Sequence, residues 1–210
     1  MFIASKGLSI ILLLILLTIV ISVVCFISET WKSKLTFFPY RMKRKNEIHR
    51  IISHIFIHVD FQHLAFNMLS VYFLGSFLEY QWRYQFGPED GALHIAILYF
   101  FGGIFATGYL YYKHQDNVFY QSLGASGAVS AVIFAAIFWH PTMKLGLLFI
   151  PVPIPAFVFG PVYLLIEYLA MRRGNTGIAH EAHIGGALFG ILYVTLLEPN
   201  KLITFFELIF

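Results

Sequence analysis

The sequence predicts an all-α polytopic membrane protein, a six-transmembrane-helix bundle forming one domain over residues 1–210. Three observations lead there. Hydrophobic residues make up 59% of the chain and charged residues only 12%, with mean hydropathy +0.75. A soluble domain is typically about 25% charged, so the bilayer rather than water is the main solvent. Apolar runs of near-bilayer length recur between polar loops, and the 210 residues suit roughly six helices of about 20 residues each plus loops. Finally, no internal repeat, low-complexity stretch or heptad pattern is present, which counts against an inverted-repeat transporter.

Charge and cysteine content narrow the function. The net charge of +3 is spread over several loops, and no face or tail is both strongly basic and soluble. Nucleic acid is therefore not an expected partner. Cys25 is the single cysteine and lies in an apolar run, so it makes no intrachain disulfide. The histidines lack zincin spacing and there are no paired cysteines, so neither a metal nor a cofactor is expected.

The first span is 8–27, behind Lys6. It is longer than a signal-peptide apolar region and ends without a small-residue cleavage site, so it reads as a retained membrane helix. Residues 29–61 form the longest polar interval. Seven Lys and Arg residues are mixed there with Phe, Ile and His, which predicts an amphipathic loop in the membrane interface with short helices of its own. The second span is 64–78, followed by Tyr80-Gln81-Trp82-Arg83-Tyr84 as an aromatic belt at the far interface and a turn at Gly87-Pro88. The third is 92–112. The fourth, 120–141, is read as one apolar helix carrying Ser126 several residues inside it. In the fifth segment 145–150 is apolar, but Pro151, Pro153 and Pro155 force an extended entry to a helix over 156–171, stopped by Arg172-Arg173-Gly174-Asn175. The sixth is 183–197, and the tail 200–210 is too short to cross and lies at the interface.

Alternation of direction makes the second, fourth and sixth helices start on one side. His63, Ser126 and His183, far apart in sequence, therefore reach one level of the membrane. Each has an ordinary structural reading: helix packing for Ser126, an interfacial position for His63, helix–helix adhesion for Asn67, a satisfied core histidine for His183. Together they supply a hydroxyl and a base able to take its proton, the minimum for nucleophilic catalysis. His63 and Asn67 are spaced i, i+4, share a face and could jointly donate to an oxyanion. No Asp or Glu is placed by the sequence to complete a triad. Glu181 lies on a different face from His183, and His180 is the closer neighbour. A Ser126–His183 dyad is the simplest assignment. Gly124, Ala125 and Gly127 on the fourth helix, with Gly185, Gly186 and Gly190 on the sixth, permit close approach of the two and leave backbone N–H groups accessible near the serine. The stretch is not the soluble hydrolase elbow, because Ala128 replaces its last glycine and no strand precedes it.

These motifs resemble those of the rhomboid intramembrane serine proteases of the bacterial six-helix type. The resemblance covers about 50–199 and rests on Gly124-Ala125-Ser126-Gly127, on His63-Leu64-Ala65-Phe66-Asn67-Met68, and on Ala182-His183-Ile184-Gly185-Gly186, all in family order. It implies Ser126 as nucleophile, His183 as general base, and His63 and Asn67 as oxyanion stabilisers. His54 and His58, at family-like spacing before His63, read as structural. It further implies single-span or polytopic membrane proteins as substrates, a multi-pass protein of the bacterial inner membrane, and a site open to the extracytoplasmic side. The sequence departs from the family's Trp-Arg pair with His49-Arg50, and from a tyrosine one turn after the serine with Ser130. Loops on the site's side also hold ten Lys and Arg residues against four on the other, which by the positive-inside rule alone would turn that side to the cytoplasm. Two other classes fit less well. A rhomboid-like pseudoprotease that binds without cleaving normally lacks the serine or the histidine. A channel would need polar residues continuing below Ser130, where the fourth helix is apolar down to Trp139.

Overall fold

The computed structural model describes residues 8–147, 150–174 and 176–209. Lys6, the Leu148-Phe149 part of the fifth segment, Asn175 of the stop signal and Phe210 of the tail lie outside them. The described residues form a helical membrane-type bundle with one small hairpin.

Helix α1 (Ile10–Ile27) is apolar on all sides, yet only Ile11, Leu14, Thr18, Ser22 and Cys25 are buried. Their three- and four-residue spacing is one helical stripe packed on the bundle, flanked by the partly buried Ile10, Ile15 and Ile21, while the other Leu and Val side chains and Ile19 and Ile27 point outward to where lipid would lie. Its N-terminus is fixed by a buried pair. Glu79 accepts hydrogen bonds from the Ser9 hydroxyl (2.6 Å) and the Ile10 N–H (2.9 Å), and Arg83 joins Glu79 at 2.8 Å while donating to the Leu8 carbonyl. Trp82 is likewise buried, edge-on to Trp139. The 80–84 stretch is thus not simply an exposed belt: two of its five residues are core, because Arg83 has an internal carboxylate and Trp82 an internal aromatic partner.

The polar interval folds into α2 (Glu29–Leu35), α3 (Pro39–Lys45), α4 (Arg50–Ser53) and a 3₁₀ turn (His54–Phe56). Arg50 is its centre. The guanidinium donates to the Ser33 and Thr36 carbonyls at 2.7 Å each and to Glu47 at 2.6 Å. Burial raises the Glu47 carboxyl pKa, but Arg50 and Arg41 more than offset this and hold it below the usual value.

Helix α5 (Phe61–Ser70) continues through a π-helical turn (Val71–Gly75) into α6 (Ser76–Phe86). Gly75 in that turn has no side chain because Ile11 of α1 occupies the space. Pro88 starts α7 (Pro88–His114), where its missing N–H costs nothing. Helix α8 (Ser126–Trp139) is the axis of the molecule: every residue from Gly127 to Trp139 except Ile133 is buried. It begins at Ser126 rather than near 120. Residues before it run extended, tied to the first loop by paired Phe37–Ser122 backbone bonds, and Gly124 adopts φ +128°, which breaks the helix. Strands β1 (Lys144–Leu147) and β2 (Ile150–Pro155) form an antiparallel hairpin leading into α9 (Ala156–Arg173). Helix α10 (His180–Leu197) runs parallel to α8, and α11 (Pro199–Glu207) closes the far end with Phe205 stacked on Phe138.

The α8–α10 contact is backbone on backbone. A Cβ on Gly186 would overlap the Gly127 carbonyl, and one on Gly190 the Ala131 carbonyl. On the other side of α10, Gly185 faces the Ala106 backbone of α7. Among the described residues three helices, α1, α7 and α10, are long and apolar enough to cross a membrane, and α8 is a shorter apolar helix.

Candidate active site

The site is a cavity of about 810 Å³ walled by α5, α8, α9 and α10, with Ser126, His183, His63, Asn67, Ser130 and Tyr163 among its lining. All four polar residues singled out from sequence therefore reach one cavity. They arrive by different local devices.

Asp60 caps α5 by accepting the His63 N–H at 2.7 Å, which fixes the first turn. One turn on, Asn67 donates through Nδ2 to the His63 carbonyl at 3.1 Å, so both residues lie on the cavity face with one amide hydrogen of Asn67 still free of that bond. The His63 ring packs on Gly124. Ser126 is the first residue of α8, and the helix's first internal bond runs from the Val129 N–H to Ala125. The N–H groups of Ser126, Gly127 and Ala128 precede that bond. They give the serine a local set of donors and the positive end of a helix dipole. His183 stands in the first turn of α10. Among the described residues no hydrogen bond joins Ser126 to His183. Such bonds commonly tighten only once substrate is bound.

Ala125, directly before the serine, is held from behind. Its N–H points at His58 Nε2 at 3.4 Å, while His58 Nδ1 lies 2.9 Å from the Ser22 hydroxyl, which bonds the Phe56 carbonyl at 2.9 Å. The donors and acceptors close in one way only: the Ser22 hydrogen goes to Phe56, so His58 carries its proton on Nδ1 and accepts at Nε2. That requires a neutral ring, and burial, with help from nearby His63, pushes the His58 pKa down to about 3. His54 is fixed similarly. Nδ1 donates to the Arg50 carbonyl at 2.8 Å, and its own carbonyl accepts the Gly124 N–H at 3.0 Å. Burial lowers its pKa to about 4.

Sequence reasoning missed Glu167. It comes from α9, and its Oε2 accepts from His180 Nδ1 at 2.6 Å. Its Oε1 lies 3.1 Å from His183 Nδ1, close enough for an ion pair but off the line of a hydrogen bond, which leaves that buried nitrogen without a partner. The ligand-type atoms of Glu167, His180 and His183 lie within 4.8 Å of one another, and the carboxylate–imidazole contacts account for this without an ion. The sequence did carry a signal: Glu167 is a lone carboxylate in an otherwise apolar helix, a costly and usually functional placement. Tyr163, one turn earlier on α9, sets its hydroxyl 3.3 Å from Ser130. Glu181, by contrast, turns away to Lys113 at 2.7 Å.

A bundle of apolar helices with a serine, histidines and an asparagine lining one cavity defines the class, a helical membrane-type protein with a polar internal site. The Rhomboid domain matches residues 45–200, and the chain belongs to the rhomboid family. It is 30% identical over 159 residues to RHOMBOID-like protein 12, mitochondrial, of Arabidopsis thaliana, covering 69% of this chain and 45% of that protein. It is 32% identical over 148 residues to Rhomboid protein 1, mitochondrial, of Saccharomyces cerevisiae, covering 68% and 40%. It is 31% identical over 147 residues to the human Presenilin-associated rhomboid-like protein, mitochondrial, covering 67% and 35%. The chain spans less than half the length of these relatives. Their names place them in mitochondria, so the expected bacterial inner membrane gains no support from them.

Proposed function

We propose that the protein is an intramembrane serine endopeptidase, a six-span membrane domain that hydrolyses peptide bonds in or near transmembrane segments of other membrane proteins. The observation that carries this reading is the convergence of Ser126, His183, His63 and Asn67 on one cavity from three separate helices. Ser126 Oγ attacks the scissile carbonyl as His183 takes its proton. The oxyanion is received by His63, Asn67 and the N–H groups at the start of α8. His183 then passes the proton to the leaving amine, and water, activated by the same base, resolves the acyl-enzyme. Gly127 and Gly186 bring α8 and α10 into backbone contact beside the serine and the base, Gly185 seats α10 on α7, Gly124 seats the His63 ring, and the Ala125 N–H is held by His58. The site opens to the extracytoplasmic side. Seven of the ten basic residues that argue against this lie in the folded first loop, where Arg41 and Arg50 are held by Glu47, and Lys43 and Arg44 by Asp116. The proline-rich entry to α9 serves as the lateral gate for substrate.

The test is cleavage of a labelled single-span membrane substrate by purified protein in detergent, with Ser126→Ala and His183→Ala beside wild type. Both variants are expected to lose cleavage. Cleavage that survives Ser126→Ala would sink the assignment, and a folded wild type whose Ser126 resists fluorophosphonate would favour a rhomboid-like pseudoprotease.

A further inference from the structure

A neutral imidazole carries one proton. For His183 to take the serine proton its Nε2 must be bare, so the resting proton belongs on Nδ1 and requires an acceptor there. His183 Nδ1 is buried with no hydrogen-bond partner, and Glu167 Oε1 is 3.1 Å away. The carboxylate is itself locked from the other side. Thr176 Oγ1 accepts the Ile178 N–H at 3.3 Å and lies 2.8 Å from His180 Nε2, while His180 Nδ1 is 2.6 Å from Glu167 Oε2. Every donor in this chain has one acceptor if Thr176 donates to His180 and His180 donates to Glu167. Oε1 takes no part in that chain and faces His183. At 3.1 Å the pair is within hydrogen-bond distance and lacks only alignment of Nδ1–H with that oxygen.

We propose that Glu167 is a positioning residue for the general base, holding His183 in its Nδ1–H tautomer and making a three-membered Ser126–His183–Glu167 arrangement whose third member is supplied by α9. This rests on the protease reading above. In the acyl-transfer step the Oγ–H bond of Ser126 breaks, the new Oγ–carbonyl bond forms, and the proton rides on His183 Nε2 while Glu167 neutralises the imidazolium from Nδ1. The proton then leaves on the amine. The support for the base comes from α9, one turn past Tyr163, whose hydroxyl lies 3.3 Å from Ser130 of α8. Only Ala156, Gly160 and Glu167 of α9 are buried, so any displacement of α9 to admit substrate also moves the acceptor of the base.

The experiment compares wild type, Glu167→Gln and Glu167→Asp as full-length proteins in detergent, reading kcat and KM on a single-span substrate and the ¹⁵N spectrum of histidine-labelled resting protein. Glu167→Gln is expected to lower kcat about 10–100-fold with KM within about twofold, part of the about 10²–10⁴-fold that a positioned base contributes. Glu167→Asp is expected to recover part of the loss, and the Nδ1–H signature of His183 is expected to weaken in Glu167→Gln. A Glu167→Gln protein with wild-type kcat and an unchanged His183 spectrum overturns the proposal. If Glu167→Gln does not fold, Glu167→Asp carries the test: unchanged kcat together with an unchanged spectrum overturns the proposal equally. Loss of wild-type activity on chelation, restored by zinc, would also overturn it by giving the same three side chains another task. A wild type that neither cleaves nor labels at Ser126 would instead fail the protease reading, while the spectra still decide the Glu167–His183 contact.

Discussion

The His63 ring lies against Gly124 with no room for a side chain between them: a Cβ on Gly124 would sit 2.6 Å from His63 Cε1 and 3.1 Å from Nε2. The same glycine has φ +128°, so the backbone turn that starts α8 at Ser126 and the seat of the His63 ring depend on one missing methyl group.

Gly124→Ala tests that coupling. The alanine meets both the ring and an unfavourable backbone region, which costs of order 1–3 kcal/mol. The expected outcome is a lower thermal midpoint in detergent and a loss of Ser126 labelling larger than the midpoint shift alone would produce. An alanine variant with wild-type stability and labelling would show that the contact does not shape the site.

Arg50→Lys keeps the charge and removes the fork. Lysine has one nitrogen to replace contacts with Ser33, Thr36 and Glu47, leaving buried carbonyls without a donor. At about 1–3 kcal/mol for each buried group left unsatisfied, a loss of about 3 kcal/mol is expected, read as a lowered midpoint. Protease nicking between α2 and α4 should rise with it, because Arg50 fastens these two helices to each other. A stable, protease-resistant Arg50→Lys protein would mean that water or lipid headgroups already satisfy these carbonyls.

The class of fold and the meeting of His63, Asn67, Ser126 and His183 were legible because hydropathy sets the helices and alternation sets their direction. Neither needs knowledge of tertiary contacts. The start of α8 was not legible. An apolar run over 120–141 has the composition of a helix, and only the pairing of Phe37 with Ser122 and the positive φ of Gly124 turn its first part into extended chain. Trp82 and Arg83 were read as interfacial for the same reason: their partners, Trp139 and Glu79, are recognisable only after folding. Glu167 shows a different limit. Its cost in an apolar helix was visible, but a search for an acid near His183 in sequence looks at α10, and the carboxylate comes from α9.

The histidines behind the site predict how stability depends on pH. His54 is fully buried, and desolvation, only partly offset by its bond to the Arg50 carbonyl, takes its pKa from 6.5 to about 4; His58 goes to about 3 by desolvation and the neighbouring His63. Both folded values lie below the unfolded value, so the unfolded chain binds protons first as pH falls. Stability is fully present above pH 6.5 and is lost on acidification through the window from 6.5 toward 4. For His54 the full displacement corresponds to about 3 kcal/mol. In the folded protein His58 stays neutral down to about pH 3, so it keeps accepting the Ala125 N–H across this window and the tether is lost only as the chain unfolds. The midpoint in detergent is therefore expected to fall between pH 7 and pH 5, above most carboxylate titrations. His54→Asn, whose amide can still donate to Arg50, should flatten part of that slope. A midpoint constant from pH 7 to pH 5 in wild type would show that neither ring is held neutral by the fold.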